Sequence, residues 1–410
     1  MAVSRNPAVP PDIAPTDILI IGAGPAGATT ALFLAQRGIP HTLLDRAHFP
    51  RDKADGNVFG LKVLETLAQL NPNWIKELVL DSGQATLCNA AKIFTPQGGS
   101  FRVPFKSKSE ALNRNAAFTM KRSHFDQFLV SKLDPTLTHQ RFGLTVTAIA
   151  STPDGLSVTC QKEGEGETET FQPKLIIGAD GANSVVARFL GLSPQNQPDY
   201  VDSVQAYFKG VKGLEDQSHF EGYFARNVLP GFFYCSPLAD GDASVGILTR
   251  QKPSADLDLK AVFTEMIQSD PNLKPRFASA TESVAMRQWG IPCGGWGKAK
   301  VSGDRALLVG DAACLCNPLT MFGSGNAMAS GKLAAEAIAQ AVTTNRFDAS
   351  HLAAYDDAIQ QLTQREFQVA HLMKRVGSQR WIFNQLGGQG WVKNAVKGIF
   401  QEQAEPMLRL

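Results

Sequence analysis

The chain has 410 residues, of which 43% are apolar, and its 40 basic and 38 acidic side chains leave a formal net charge of +2. A chain of this size and composition is typical of a soluble protein with about two domains of roughly 150 to 200 residues each. A charge so close to zero gives no long-range field that would favour nucleic acid or an anionic membrane, so we expect recognition to occur in a pocket.

The N-terminal sequence, MAVSRNPAVPPDIAP, is rich in proline and lacks the apolar core of a signal peptide. We predict a disordered tail at residues 1–15. The apolar stretch at 18–35 is interrupted by glycines and a proline, and we predict no transmembrane segment. The six cysteines are scattered without the spacing of a structural zinc site, so we expect reduced thiols, no metal and a cytoplasmic protein.

The first predicted elements lie in DILIIGAGPAGATTALFLAQRG, where a short apolar run typical of a buried strand precedes a glycine-rich turn and a helix. In that context Gly22 permits a tight turn, Gly24 lets a pyrophosphate approach the backbone, and Gly27 lets the helix pack closely on the strand. Asp45 lies in a second strand, HTLLDR, about 20 residues on, where a carboxylate can bind ribose hydroxyls. This order predicts a dinucleotide-binding fold.

Two later segments repeat the order of strand, glycine turn and helix. LIIGADGANSVVARFLG has Asp180 and Gly181 at its turn. RALLVGDAACLCNPLTMFGSGNAMASGKLAAEAI has Asp311 at the end of its strand and a glycine-rich loop before a long, alanine-rich helix.

Together, these three motifs resemble those of the FAD-dependent oxidoreductases with the para-hydroxybenzoate hydroxylase type of fold. That superfamily includes aromatic hydroxylases, flavin halogenases and geranylgeranyl reductases. The resemblance implies FAD as a non-covalent cofactor. The glycine fingerprint is then occupied by FAD, so the electron donor, NAD(P)H or another reductant, stays open.

The resemblance also implies which residues bind FAD. The glycine-rich turn would hold the pyrophosphate, Asp45 the adenosine ribose and Asp311 the ribityl chain, while the loop from Pro318 to Asn326 would lie along the isoalloxazine ring. The full set expected at the cofactor is Gly22, Gly24, Pro25, Ala26, Gly27, Asp45, Arg46, Arg122, Asp180, Gly310, Asp311, Pro318, Gly323, Ser324, Gly325 and Asn326.

Aromatic-rich, alternating stretches between the nucleotide segments predict an antiparallel sheet, with a hairpin turn at Asp240 and Gly241. In the resembled family such a sheet covers the substrate cavity in front of the flavin. This implies that Phe232, Phe233 and Tyr234 line the cavity, and the alternative is that they belong to the core.

We therefore predict an α/β fold with a Rossmann-like FAD-binding domain, an inserted antiparallel-sheet substrate domain and a helical C-terminal region. The FAD-binding domain would comprise 16–85, 106–200 and 285–345. The substrate domain would comprise 86–105 and 201–284, and the C-terminal helices 346–410.

Near the C-terminus, LGGQGWVKNAVKGIF places the apolar side chains from Trp391 to Phe400 near one face of a helix. Such a face could make a weak peripheral membrane contact or meet another subunit. Packing against the chain's own body is the favoured alternative, and the oligomeric state stays open.

Three short runs resemble the geranylgeranyl reductase branch of the superfamily: FPRDK after the second strand, NPLT in the last loop, and WGIPCGGWG. Flavin halogenases carry W-x-W-x-I-P in their middle region, whereas this chain has only RQWGIP, late and without the first tryptophan. Halogenation is therefore disfavoured. We expect reduction of a C=C bond in a largely apolar substrate, an isoprenoid, polyene or aromatic compound that is carrier-bound or free.

The branch's reductases typically have a cysteine two residues after the lysine of FPRDK, where this chain has Asp55. Saturating a C=C bond requires a proton from a nearby acid, and burial would raise the pKa of a carboxylic acid enough to serve. Asp55 is thus the candidate catalytic residue. In the alternative interpretation, Asp55 lies on a hydrated loop and, with Asn57, caps the helix that follows.

Two other functions stay open. An oxygen-dependent flavin hydroxylase would use the same fold and a sheltered pocket. A non-catalytic FAD-binding protein, such as an electron-transfer partner, would leave the middle sheet without a role.

Overall fold

A computed structural model describes residue 14, residues 16–51, 53, 56–95, 99–104, 117–164, 166–214, 219–225, 228, 231–250, 258–297 and 299–377, with side chains as far as Leu372. Residues 1–13, Asp55 and the predicted helix around Trp391 lie outside this part of the chain. No helix in the described ranges is long and apolar enough to cross a membrane.

The strands of the described chain, in order, are β1 Ile18–Ile21, β2 His41–Asp45, β3 Val58–Phe59, β4 Thr86–Cys88, β5 Ala90–Phe94, β6 Ser100–Pro104, β7 Ala117–Thr119, β8 Thr138–Phe142, β9 Leu144–Ser151, β10 Leu156–Lys162, β11 Thr168–Phe171, β12 Leu175–Gly178, β13 Val201–Lys209, β14 His219–Tyr223, β15 Gly231–Pro237, β16 Asp242–Arg250, β17 Thr281–Ile291, β18 Ser302–Gly303 and β19 Ala306–Leu308. The α-helices are α1 Pro25–Gln36, α2 Leu61–Leu70, α3 Asn73–Ile75, α4 Arg122–Ser131, α5 Val185–Phe189, α6 Leu259–Ser269, α7 Lys274–Phe277, α8 Ser324–Thr344 and α9 Ala349–Gly377.

A six-stranded, mostly parallel sheet has the order β18-β19-β12-β1-β2-β8. β1 lies in its interior between β12 and β2, and all four of its residues are buried. Continuous apolar runs such as ILII suit this position, because both faces of a parallel sheet are covered. The three predicted units of strand, glycine turn and helix therefore converge at one edge of one sheet, and the predicted fold class is confirmed.

Helices α1 and α8 pack closely because small residues lie between them. A Cβ atom on Gly331 would lie 2.6 Å from the carbonyl oxygen of Ala26, and one on Gly310 would lie 3.0 Å from the Ala26 Cβ. This contact brings the start of α8 beside the first glycine-rich turn.

The seven-stranded sheet has the order β17-β13-β16-β15-β14-β5-β6 and is antiparallel except where β5 pairs with β14. Asp240 and Gly241 form the turn between β15 and β16, as predicted, and Gly241 has a φ of +79°. β17 runs from Thr281 to Ile291, so the domain boundary that we predicted at 284/285 falls inside this strand.

A buried ion pair connects β14 of this sheet to α7. Arg276 Nη1 lies 2.6 Å from Glu221 Oε2 and 2.5 Å from the Tyr223 hydroxyl. Burial raises the pKa of Glu221. The hydrogen bond with His219 and the charge of Arg276 together lower this pKa by more than burial raises it, so the net pKa is below its usual value. The pair therefore stabilises the fold at neutral pH, and this contribution is lost as the pH falls through the lowered pKa.

Arg276→Met should lower the free energy of unfolding by roughly 3 kcal/mol, because Glu221 would be left as an uncompensated buried charge. Denaturant titration at pH 7 measures this change. Lys274→Met, on the exposed side of α7, is the control and should change stability by less than about 0.5 kcal/mol. Equal effects of the two substitutions would contradict the role given to the ion pair.

Candidate active site

The three glycines of the first turn meet different surroundings. Gly22 has a φ of +104°, and a Cβ there would lie 2.3 Å from the Ala179 carbonyl oxygen. A Cβ on Gly27 would lie 1.8 Å from the Gly22 carbonyl oxygen, so both positions require glycine for packing within the protein. Gly24 differs, because the nearest atom to its Cβ position is Arg51 Nη2, at 3.6 Å. The space in front of Gly24 is thus open to a ligand at the N-terminus of α1.

Two guanidinium groups lie close to this open space and share one carboxylate. Arg122, only 2% exposed, places Nε 2.9 Å from Asp126 Oδ1, and Arg51 places Nη2 3.2 Å from Asp126 Oδ2. The buried Nε of Arg51 lies 4.0 Å from Asp45 Oδ1 and makes no hydrogen bond with the described residues. The cluster therefore has cationic capacity beside Gly24, as a pyrophosphate requires. We predicted Arg122 from the sequence but not Arg51.

Asp45 fixes the turn to β2. Its Oδ2 accepts a hydrogen bond of 2.8 Å from the Ala23 backbone N–H, and its Oδ1 accepts one of 2.9 Å from Ala47. The adjacent Arg46 side chain is exposed and borders a separate surface groove with His48 and Lys162. The structure thus places Asp45 at the glycine-rich turn, and the role predicted for Arg46 stays a prediction.

Asp180 is a helix cap within the second glycine motif. Its Oδ2 accepts a hydrogen bond of 2.7 Å from the Val185 N–H at the start of α5, and its buried Oδ1 has no hydrogen-bond partner. Burial raises the pKa of Asp180, although hydrogen bonds with Ser184 and Val185 oppose the effect. The neighbouring Gly181 lines the cavity described next.

A cavity lies between the nucleotide segments and the seven-stranded sheet and opens to solvent. Its first wall combines the turn at 24–26 with Arg122, Gly310, Asp311, Gly323 and Ser324. Of the other residues predicted at the cofactor, Pro318, Gly325 and Asn326 are not among those that line the cavity. Gly325 packs on the Lys62 side chain, and Asn326 is buried. We call residues 315 to 326 the 315–326 loop. Only part of this loop therefore faces the cavity.

The opposite wall is apolar and aromatic: Phe220, Phe232, Tyr234, Leu248 and Ile291. Phe220 also packs edge-on against Phe322 of the 315–326 loop, with ring centroids 6.0 Å apart, so the two walls meet. An apolar wall that faces a few polar groups is typical of a site for a small organic ligand.

Phe233 corrects the prediction that three successive aromatic residues line the cavity. It is fully buried on the other face of the sheet, where its ring packs on Phe263 of α6 at 5.5 Å between centroids. Successive side chains of a strand point to opposite faces, so Phe232 and Tyr234 can share a wall but Phe233 cannot.

The stretch that follows β2 passes along the cavity. Lys53, Gly56 and Asn57 all line it, and the Lys53 ammonium lies 5.2 Å from the centre of the Trp289 ring. Asp55 falls between these residues but outside the described chain, so its role stays a prediction.

Asn57 does not cap the next helix, which corrects the alternative interpretation. The N-cap of α2 is Gly60, without a side-chain hydrogen bond. Asn57 is buried instead, donating from Nδ2 to Ser244 Oγ at 2.7 Å and accepting from the Tyr207 hydroxyl at 3.1 Å. These partners are distant in sequence and connect the cavity to β13 and β16.

The open space at Gly24, the Arg51 guanidinium beside it and the N-terminus of α1 fit the pyrophosphate of a dinucleotide. The family of FAD binding domains matches this chain over residues 15–369. The chain belongs to this FAD-binding family. The predicted cofactor, FAD, is confirmed by this match, and the flavoprotein is an oxidoreductase of the predicted superfamily.

Curated relatives span most of this flavoprotein. Digeranylgeranylglycerophospholipid reductase 2 of Methanopyrus kandleri is 28% identical over 376 residues, which cover 88% of this chain and 87% of the relative. Menaquinone reductase of Mycolicibacterium smegmatis is 26% identical, covering 86% of this chain and 82% of the relative. A geranylgeranyl bacteriochlorophyll reductase-like protein from Thermoplasma acidophilum has the same fold, with a TM-score of 0.76 at 20% identity and coverage of 88% and 87%.

Proposed function

We propose that this flavoprotein reduces C=C bonds of a largely apolar isoprenoid substrate in the cavity between its nucleotide segments and the seven-stranded sheet. The observation that carries the proposal is the contrast between the two walls of this cavity. One wall has the features of a dinucleotide site, and the other is a continuous aromatic and aliphatic surface.

The cofactor would lie along the first wall. Gly24 and the N-terminus of α1, with Arg51 and Arg122 beside them, would hold the pyrophosphate, and Asp45 would orient the ribose end. The residues from Gly310 to Ser324 that face the cavity would lie along the flavin ring, where the N-terminus of α8 favours negative charge. A crystal structure with FAD tests this placement, since a ring more than about 10 Å from Gly323 would be beyond a water-bridged contact.

Bound FAD, once reduced, supplies the hydride for such a reaction. The chain must then orient the double bond, exclude water and deliver a proton to the other carbon. Phe220, Phe232 and Leu248 would orient and shield the apolar substrate. Asp55 would deliver the proton, because its neighbours Lys53 and Gly56 both line the cavity. A cavity of this kind would keep a carboxylic acid protonated more readily than water does.

The names of the curated relatives support an isoprenoid class of substrate for this chain. The near-neutral charge of the protein and the apolar wall agree with a molecule that lacks a strongly charged reacting end. Whether the substrate reaches the cavity free, on a carrier or from a membrane surface through weak peripheral contact is a further part of the proposal. A cytoplasmic location would suit each of these routes.

The decisive experiment incubates the FAD-loaded protein with a digeranylgeranyl glycerolipid and dithionite without oxygen, and follows the product by mass spectrometry. We expect the gain of two hydrogen atoms per reduced double bond. Replacing dithionite by NADH or NADPH then identifies the physiological class of donor. Product that instead contains an added oxygen atom, formed only in air, would favour the hydroxylase alternative and overturn the proposal.

A pair of substitutions in β15 separates substrate contact from core packing. Phe232→Ala should raise KM for the apolar substrate about tenfold, because it removes apolar contact at the cavity wall. Phe233→Ala should lower the free energy of unfolding by about 3 kcal/mol with little change in KM, because Phe233 packs in the other core. Steady-state kinetics and denaturant titration measure both quantities, and the reverse pattern would contradict this division.

A further inference from the structure

A buried asparagine, Asn317, lies near the start of the 315–326 loop, and both the oxygen and the nitrogen of its side-chain amide form hydrogen bonds. Asn317 Oδ1 accepts hydrogen bonds from the backbone N–H groups of Leu319, at 2.8 Å, and Thr320, at 2.9 Å. Its Nδ2 donates to Glu366 Oε1 at 2.6 Å. The side chain thus closes the turn at the start of the loop and connects that turn to α9.

The loop ends with a second buried asparagine, bonded in the same way. Asn326 Nδ2 donates to the Leu315 carbonyl at 2.9 Å, and its Oδ1 accepts from Lys62 Nζ at 2.7 Å. Lys62 Nζ also donates to Glu366 Oε2 at 2.5 Å. Both ends of the loop therefore converge on the single carboxylate of Glu366.

This carboxylate is well placed to act on the loop. The Glu366 and Lys62 side chains are 17% and 22% exposed, so water screens their interaction only in part. Charge-assisted hydrogen bonds are about twice as strong as neutral ones, and Glu366 makes one with Lys62 and another with Asn317. Glu366 does not line the cavity itself, whereas Thr320, Gly323 and Ser324 of the loop do.

A second contact from α9 reaches the same loop. His371 Nδ1 lies 3.6 Å from Asp199 Oδ2, and Arg250 Nε lies 3.7 Å from Asp199 Oδ1. Arg250 Nη2 in turn donates to the Pro318 carbonyl of the loop. Helix α9 thus contacts Asn317 directly through Glu366, and Arg250 connects the neighbouring Pro318 to Asp199, beside His371 of α9.

We propose that Glu366 is a positioning residue that fixes the 315–326 loop against the flavin ring and sets the charge beside it through Lys62. The inference rests on the FAD placement proposed above. Removing the carboxylate charge leaves Lys62 without its anionic partner and loosens both asparagine contacts. The bound flavin should consequently be held less tightly and be easier to reduce.

The test compares Glu366→Gln and Glu366→Ala with the native protein. A glutamine oxygen can still accept from Asn317, but its amide nitrogen cannot accept from Lys62. We expect the FAD dissociation constant to rise about tenfold in Glu366→Gln, as for the loss of one charge-assisted hydrogen bond, and further in Glu366→Ala. The flavin midpoint potential should rise in both variants because a nearby negative charge is gone.

Glu336→Gln is the matched control, since Glu336 on α8 also pairs with basic side chains, Arg37 at 3.5 Å and Lys332 at 3.9 Å, but lies away from the loop. It should leave both quantities unchanged. A Glu366→Gln protein that unfolds at a lower temperature but keeps the native FAD affinity and potential would overturn the proposal. Neither measurement uses a substrate, so failure of the proposed reductase activity would appear separately, as absence of reduced product from the native protein.

Discussion

Gly24→Val should yield a folded protein that does not retain FAD. The reason lies in the surroundings of Gly24: among the described residues, the atom nearest to an added Cβ is Arg51 Nη2 at 3.6 Å, which is an ordinary contact. The first atom of a side chain is therefore accommodated at this position, and we expect the variant to fold. The pyrophosphate that we place in front of Gly24 cannot bind, because the valine would occupy its space.

The measurement is the flavin absorption of the purified variant, followed by titration with FAD and a thermal unfolding scan. Gly60→Val is the control, because Gly60 also has open space around its Cβ position and a negative φ but lies outside the cavity wall. The control should retain FAD as the native protein does. If Gly24→Val bound FAD with native affinity, the pyrophosphate would have to lie elsewhere.

Asp55→Asn should slow saturation of the substrate by roughly a hundredfold or more while leaving reduction of the flavin by the donor normal. Asparagine keeps the shape and the hydrogen-bonding reach of aspartate but has no proton to give. Stopped-flow measurement of flavin reduction, followed by oxidation of the reduced flavin by substrate without oxygen, separates the two half-reactions.

Asp52→Asn removes a carboxylate from the same stretch and serves as the control, and it should leave the rate close to the native value because the proposal gives Asp52 no proton to deliver. Turnover of Asp55→Asn at the native rate would remove Asp55 from the mechanism. In that event oxygen consumption coupled to product formation becomes the next measurement, because the departure from the branch's cysteine would then favour a different reaction.

The cofactor side of the fold could be predicted from the sequence because its signals are local. Gly22, Gly24 and Gly27 lie within six residues, and the strand before them and the helix after them each have their own apolar pattern. The same holds for the Asp240-Gly241 turn. Sequence reasoning works best where the residues that make a structure are neighbours in the chain.

The corrections have physical causes of two kinds. The role of Phe233 could have been predicted from the sequence, because the alternation of side chains along a strand prevents three successive residues from lining one wall. The hydrogen-bond partners of Asn57 and Asn317 could not be predicted from the sequence. Tertiary packing brings Ser244 to Asn57 and Glu366 to Asn317, and no sequence pattern links the two residues of either pair. Arg51 is a case between these two. The sequence shows that it follows β2, but it does not show that the guanidinium group lies close to Gly24.

The two cavity walls are stabilised by different sets of buried side chains. The glycine-rich turns rest on the apolar cluster that includes Ile20 and Leu307, whereas Phe220, Phe232 and Leu248 belong to another cluster. Substitutions of Phe232 or Leu248 can therefore reshape the space offered to a substrate while the glycine-rich turns keep their own packing, whereas Phe220 also contacts Phe322 of the 315–326 loop. Proteins with this architecture can therefore change their substrate specificity through mutations on β14 to β16 while the redox chemistry stays the same.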